Sequence, residues 1–319
     1  MSSNSQVPDE LFDLFIIGGG PASLTAAIYS ARACLKTAFI EKDWPGGKLN
    51  KTLYIENYPG YLKLNGSTLG ESMLKQVLDN GVKQYFGTVI DVEKEEKTWK
   101  IRTANNQLFR SKSILIASGM RERVLDIDNV KEFYGKGISY CAICDGNLYR
   151  ERPVIVVGGG NSAVEESIYL SDITSKVKLV HRRREFRAEA ISVKKARNIK
   201  NIEIYTPYIP IGAEVKDNKI IGLKVRNVET EEESLLEGDC VFFYVGLIPE
   251  NEFLKSIDIE KDEWGFLKVD ENMRTSVPGI YAAGDIISKN LRQVVTATND
   301  GAIAAISIKS YIDSLEESD

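Results

Sequence analysis

The feature that most restricts this chain is a pattern it carries twice. Leu14 to Ile17 is a short apolar run that passes into Gly18-Gly19-Gly20-Pro21-Ala22-Ser23 and then into a helical pattern from Leu24 to Arg32. Val154 to Val157, Gly158-Gly159-Gly160-Asn161-Ser162-Ala163 and Val164 to Ser171 repeat it. A strand, a glycine turn and a helix in that order supply a tight reversal, bare backbone that a pyrophosphate can approach, and a helix N-terminus whose free amides attract it. Two such units predict an α/β fold with two Rossmann-like dinucleotide-binding domains.

The strand after each unit distinguishes the two. Thr37 to Ile40 ends in Glu41, roughly 20 residues beyond the first glycine, where an acid grips a ribose. Val177 to Val180 ends instead in His181-Arg182-Arg183-Arg184, with Arg187 shortly after. Planar guanidiniums bind phosphate bidentately, so this set suits a 2′-phosphate and favours NADP(H) over NAD(H). Arg184 reads as the solvated start of a basic helix. His181 is the only histidine, which excludes catalysis by paired histidines; it is assigned to backbone or ribose positioning. Each unit closes on a buried strand ending in glycine, Ser113 to Gly119 and Cys240 to Gly246.

The remaining segments are less specific. Pro45 to Lys48 and Glu56 to Gly60 are loops, Gly70 to Asn80 has helical periodicity, and Thr98 to Arg102 alternates as a strand. Ile202 to Tyr205, Glu214 to Val215, Ile220 to Val228 and Ser234 to Leu236 read as a strand meander. A strand ends in Gly284-Asp285, and Arg292-Gln293-Val294 opens a helix of small residues from Thr296 to Ala305.

Just ahead of the second glycine turn stands Cys141-Ala142-Ile143-Cys144-Asp145-Gly146. Four cysteines in 319 residues make no disulfide scaffold, and a Cys-x-x-Cys pair in a reducing compartment is redox-active or metal-binding. Structural zinc needs four ligands, and no second Cys/His pair exists. Cys34 and Cys240, flanked by apolar residues, are expected to be buried fillers. A net charge of −5 leaves no basic excess for nucleic acid or anionic membranes. No apolar run approaches the roughly 18 residues of a membrane span, which points to the cytoplasm.

With these residues in view the chain resembles the low-molecular-weight, bacterial-type thioredoxin reductases. GGGPAS, ENYPG, CAICDG, GGGNSAVEE, HRRREFR and AAGD followed by RQ carry the likeness, which runs from Ile16 to about Ile312. The resemblance implies an NADPH domain (121–247) inserted into an FAD domain (1–120 and 248–319). FAD would be held by Gly18, Gly20, Pro21, Ala22, Glu41, Gly46, Gly47, Lys48, Asn57, Gly119, Gly284, Asp285, Ile286, Arg292, Gln293 and Val294. NADPH would be held by Gly158, Gly160, Asn161, Ser162, His181, Arg182, Arg183 and Arg187. Lys48 stands where the family usually has Gln, and Ser23 and Ser118 replace Gly and Thr.

The implied activity is an NADPH-dependent flavoprotein disulfide reductase acting on thioredoxin. Cys144 would receive electrons from FAD, Cys141 would be the more accessible thiolate that attacks the partner, and Asp145 would move the proton. The resemblance adds a homodimer, and an NADPH domain that pivots near Gly119 to Arg123 and Gly246 to Pro249. The competing enzymes are a ferredoxin or quinone reductase, which normally lacks the cysteine pair, and a peroxide-system flavoprotein, which carries an additional N-terminal thioredoxin-like region.

Overall fold

The computed structural model describes residues 10–52 and 54–317. The chain divides into two compact units, one made of the residues up to 121 together with those from 248 onward, the other of residues 122–247. The α-helices of the described residues are α1 (Pro21–Arg32), α2 (Gly66–Asp79), α3 (Ala142–Asp145), α4 (Asn161–Ser171), α5 (Ala190–Asn198) and α6 (Val294–Glu316). None is long and apolar enough to cross a membrane.

The first unit is built on a seven-stranded sheet. Lys83–Phe86, Thr37–Glu41, Leu11–Ile17 and Leu108–Ile116 lie side by side in parallel, and Thr98–Thr103 and Val89–Glu95 extend the sheet antiparallel. Ile280–Ala282 returns from the far end of the chain to pair in parallel with Leu108–Ile116. Parallel strands are covered on both faces, so they must be apolar throughout rather than alternating. Ile114, Leu115 and Ile116 obey this, with no exposure and in register with Phe15, Ile16 and Ile17. The antiparallel Thr98–Thr103 has one wet face, and only Trp99, Ile101 and Thr103 are buried.

How a helix starts separates its neighbours. Asn65 caps α2, its Oδ1 accepting the amides of Ser67 at 3.0 Å and Thr68 at 3.4 Å. By contrast α1 begins at Gly20 and α4 at Gly160, and neither start has a side-chain acceptor. Those first-turn amides are the ones a bound anion would satisfy.

The second unit repeats the plan on a smaller scale. Ile138–Ser139, Cys240–Tyr244, Pro153–Gly158, Lys176–Val180 and Ile202–Tyr205 form a parallel sheet in that order. Tyr208–Lys216, Lys219–Asn227 and Glu233–Glu237 form an antiparallel one. Ile202–Tyr205 therefore belongs to the parallel sheet and not to the expected meander. It follows the crossover helix α5, and a strand returning from such a crossover lies parallel to the one before it.

Two further expectations change. The last helix is longer than its small-residue core, running from Val294 to Glu316. Cys34 is exposed rather than a buried filler. It lies in the turn after α1 in a left-handed conformation, φ 61°, a local geometry its apolar neighbours do not reveal. Cys240 is buried.

α1 and α6 pack at very short range, because Gly301 of α6 lies over the backbone of α1: a Cβ there would stand 2.2 Å from the Ala22 carbonyl oxygen. Gly to Ala inside a helix normally adds about 1 kcal/mol of stability, whereas forcing a methyl into a packed contact costs about 1–3 kcal/mol. At 2.2 Å against backbone the second effect dominates. Gly301→Ala is expected to lower unfolding stability by about 1–2 kcal/mol in denaturant titrations; a variant more stable than wild type would contradict the packing described.

Candidate functional site

Cys141 and Cys144 are joined as a disulfide, with their Cα atoms 5.3 Å apart. Cys141 is the extended residue that starts the one-turn helix α3, and the Cys144 amide donates to its Sγ at 3.2 Å. Two groups from neighbouring strands hold the start of this helix. The buried Ser139 hydroxyl accepts the Cys141 amide at 3.1 Å and donates to Asp145 Oδ2 at 2.7 Å. The Tyr244 hydroxyl accepts the Ala142 amide at 2.9 Å. Burial raises the Tyr244 phenol well above its ordinary value, and the charge of Glu166 adds to this. Burial, with Glu165 beside it, pushes Glu166 up to about 7.

The expected order of accessibility is reversed. Cys144 is exposed and Cys141 is half-buried. The reason is local: Cys141 continues the chain from the buried Ile138–Ser139 strand, while Cys144 lies one turn on, away from that edge.

In the first unit the glycine turn is shaped by what presses on it. Gly18 has φ 116°, and a Cβ there would be 2.3 Å from the Ala117 carbonyl oxygen; at Gly20 a Cβ would meet nothing. The bare face at Gly20 thus adjoins the uncapped start of α1, where Pro21 and Ala22 stand. Ser23, in place of the family's Gly, is buried and donates to the Gly18 carbonyl. Glu41 accepts the Gly19 amide at 2.6 Å through Oε2, and those of Lys42 at 2.8 Å and Asp43 at 3.2 Å through Oε1. Burial nonetheless holds its carboxyl above the usual value, against the pull of the three amides.

Around that turn gather most of the residues expected to hold a flavin. Gly46 donates to the Gly19 carbonyl at 2.8 Å, and Gly47 lies over Gly20, where a Cβ would be 3.2 Å from the Gly20 Cα. Lys48 Nζ is 2.9 Å from Asp285 Oδ2. Gly284 is pressed against Ala22, and Ile286 is fully buried. The Arg292 guanidinium donates to the carbonyls of Asp285 at 3.3 Å and Ile287 at 3.0 Å and stacks on Phe266 at 4.0 Å. Asn57 donates to the Gln293 side chain at 3.2 Å, just before Val294 opens α6. Gly119 has φ 70° and open space where a side chain would be. Its neighbour Ser118 donates to the Glu250 carbonyl at 2.6 Å.

The second unit repeats the first turn. Gly158 sits 2.5 Å, by its absent Cβ, from the Tyr244 carbonyl oxygen, and Gly160 again faces open space. Asn161 Oδ1 accepts the Glu189 amide at 2.8 Å, and Ser162 is exposed. His181 lies beneath Gly159, whose Cβ would stand 2.2 Å from its ring. It is buried, stacks on Phe186 and meets the Glu185 carbonyl at 3.1 Å. Its side chain therefore supports the loop from below. Burial lowers its pKa, and the charges of Arg187, Arg182 and Arg183 do the same. Arg184 is exposed as expected, but it lies ahead of α5 rather than at its start, and it forks onto Glu229 at 2.8 and 2.5 Å. Arg182, Arg183 and Arg187 are exposed, with no carboxylate partner among the described residues.

Ser139 and Tyr244 support the disulfide, and neither is legible as such in the sequence. Ser139 precedes the cysteine motif without any spacing rule, and Tyr244 reads only as one more residue of a buried strand.

The pyridine nucleotide-disulphide oxidoreductase family model matches residues 12–301. Thioredoxin reductase of Listeria monocytogenes is 39% identical over 310 residues, covering 97% of each chain. That of Ureaplasma parvum is 43% identical over 304 residues, covering 95% of this chain and 97% of its own. The crystal structure of Lactococcus lactis thioredoxin reductase superposes with a TM-score of 0.92 at 39% identity, over 95% of this chain and 99% of that one.

The buried His181 carries a pH signature. Its folded pKa lies below the ordinary 6.5, so between the two values the unfolded chain binds a proton that the folded chain excludes. Stability contributed by this group is complete above about pH 6.5 and declines as the solution is acidified through that window. His181→Phe is expected to flatten this part of the stability curve, read as urea midpoints between about pH 7.5 and 5. An unchanged slope would show that the histidine titrates freely.

Proposed function

The chain belongs to the pyridine nucleotide-disulphide oxidoreductase family, and from that premise we propose that it is an NADPH-dependent, FAD-containing thioredoxin reductase. The observation that carries this reading is the Cys141–Cys144 disulfide, held by Ser139 and Tyr244 in the unit that bears the second glycine turn and its arginines. The reading places FAD on the first unit and NADPH on the second. It includes a cytoplasmic setting and, from the family resemblance, a homodimer.

The residues present fit both cofactors. Two helices with uncapped N-termini, each beside a glycine with open space in front of it, suit two pyrophosphates. Asp285, Arg292 and Gln293 converge near the first of these and would hold the flavin. Arg182, Arg183 and Arg187 would take the 2′-phosphate that distinguishes NADPH. When bound, the flavin supplies the relay by which a hydride equivalent becomes the two electrons that open a disulfide.

The chain's own part is thiol chemistry. Two electrons and two protons convert the Cys141–Cys144 disulfide into two thiols, either of which reacts as its thiolate. The exposed Cys144 is the one placed to attack a disulfide of thioredoxin, forming a mixed disulfide and releasing one thioredoxin thiolate. Cys141 then attacks Cys144, which releases the second thioredoxin thiol and restores the Cys141–Cys144 bond. The Cys144 amide aimed at Cys141 Sγ favours a thiolate there. Asp145, next in sequence to Cys144 and oriented by the Ser139 hydroxyl, would relay the proton to the leaving thiolate.

Two measurements test this. Either Cys→Ser variant should lose NADPH-driven thioredoxin reduction by at least about a hundredfold, because each removes one half of the exchange. With a thioredoxin lacking its resolving cysteine, Cys141→Ser should trap a mixed disulfide through Cys144; trapping by Cys144→Ser instead would reverse the two roles. Second, Arg182→Ala/Arg183→Ala should raise KM for NADPH by at least about a hundredfold while leaving KM for NADH nearly unchanged, since each charge-assisted bond contributes about 1.5–3 kcal/mol. Equal effects on both nucleotides would place these arginines elsewhere than the 2′-phosphate.

A further inference from the structure

The segment that carries Asp285, Arg292 and Gln293 is anchored by a charge pair outside the set of residues expected to touch a cofactor. Lys289 Nζ lies 2.6 Å from Asp300 Oδ2, with side chains only 14% and 8% exposed. The pair between Lys48 and Asp285 is much wetter, at 44% and 20%. The same Asp300 oxygen accepts the Gly284 amide at 3.1 Å. Lys289 Nζ also approaches Thr296 Oγ1 at 3.4 Å, the hydroxyl that takes the Gln293 amide at 3.1 Å. One cluster therefore fixes the turn before Asp285 and the residue that precedes α6.

A buried ion pair needs a reason. Removing two charges from water costs several kcal/mol per ion, and well-packed apolar residues in their place are often as stable or more so. What an apolar pair cannot do is accept the Gly284 N–H. That amide belongs to a turn with no slack, because Gly284 has φ 82° and a Cβ there would be 2.8 Å from the Cβ of Ala22. Gly301, the next residue after Asp300, is the one that presses on the Ala22 carbonyl. Asp300 thus aligns the Asp285 turn with the uncapped start of α1, and Lys289 keeps Asp300 aimed.

We propose that Lys289 and Asp300 are positioning residues of the flavin site: the Asp300 carboxylate sets the Gly284–Asp285 turn, and Lys289 sets Asp300. The proposal rests on the flavin reading of the first unit given above. It predicts that flavin affinity follows the presence of an acceptor at position 300 rather than the presence of charge.

The test is titration of apoprotein with FAD, followed by flavin fluorescence, with NADPH binding and apoprotein melting as controls. Lys289→Met/Asp300→Asn removes both charges but keeps a carbonyl acceptor, and should bind FAD within about threefold of wild type. Lys289→Met/Asp300→Leu removes the acceptor as well, leaving a buried amide unpaired, and should bind FAD at least about tenfold more weakly with NADPH binding unchanged. Lys289→Met/Asp300→Ala is made alongside, so that the comparison does not hang on one replacement folding. Equal FAD affinity in the Asn and the Leu or Ala forms overturns the proposal, as does a parallel loss of NADPH binding. Wild-type apoprotein that takes up no FAD would instead overturn the flavin reading itself, a result told apart at the first titration.

Discussion

Both halves of this protein depend on one close approach, a glycine turn pressed against the end of the strand that closes its unit. Gly18 meets the Ala117 carbonyl and Gly158 the Tyr244 carbonyl at distances that admit no side chain. That contact sets where the following helix begins. With glycine rather than Ser, Thr, Asp or Asn at the start, the helix keeps its first amides unspent. The positive end of a helix facing bare backbone is an anion site made of nothing but chain geometry. The rest of each unit supplies what distinguishes one anion from another.

The two units differ at one position after the second strand, and the contrast is electrostatic. Glu41 gathers three backbone amides and is partly shielded, and in the proposed reading it would accept from a neutral hydroxyl pair. The corresponding loop of the second unit leaves three guanidiniums uncompensated and braces them on a histidine that burial keeps uncharged. A protonated His181 would add a fourth positive charge to the cluster. Its location beneath Gly159 lets the chain concentrate cations without that addition.

Much of this was legible in the sequence because its signals are local. The strand, glycine turn and helix follow one another without interruption, so Gly18 to Arg32 and Gly158 to Ser171 could be placed from spacing alone. The cysteine pair and the arginine run are likewise contiguous. What was not legible is whatever depends on residues brought together from a distance. Ser139 and Tyr244 reach α3 from two different strands. Lys289 and Asp300 meet only because the loop before α6 lies alongside the first turns of that helix, and Cys34 is exposed in a turn its apolar neighbours do not announce. The residues of Ile202–Tyr205 announce a strand but not its sheet, since strand propensity says nothing about which edge it joins.

Tyr244 also ties together two features that look independent in the sequence. Its backbone forms the wall behind Gly158, and its hydroxyl receives the first free amide of the redox helix. The second glycine turn and the disulfide are therefore two ends of one fixture. A chimera that took its cysteine motif from one parent and its second glycine turn from another would inherit mismatched halves of that fixture. Recombination within this unit should be tolerated only where Ala142, Gly158 and Tyr244 travel together, although more than a hundred residues separate the first from the last.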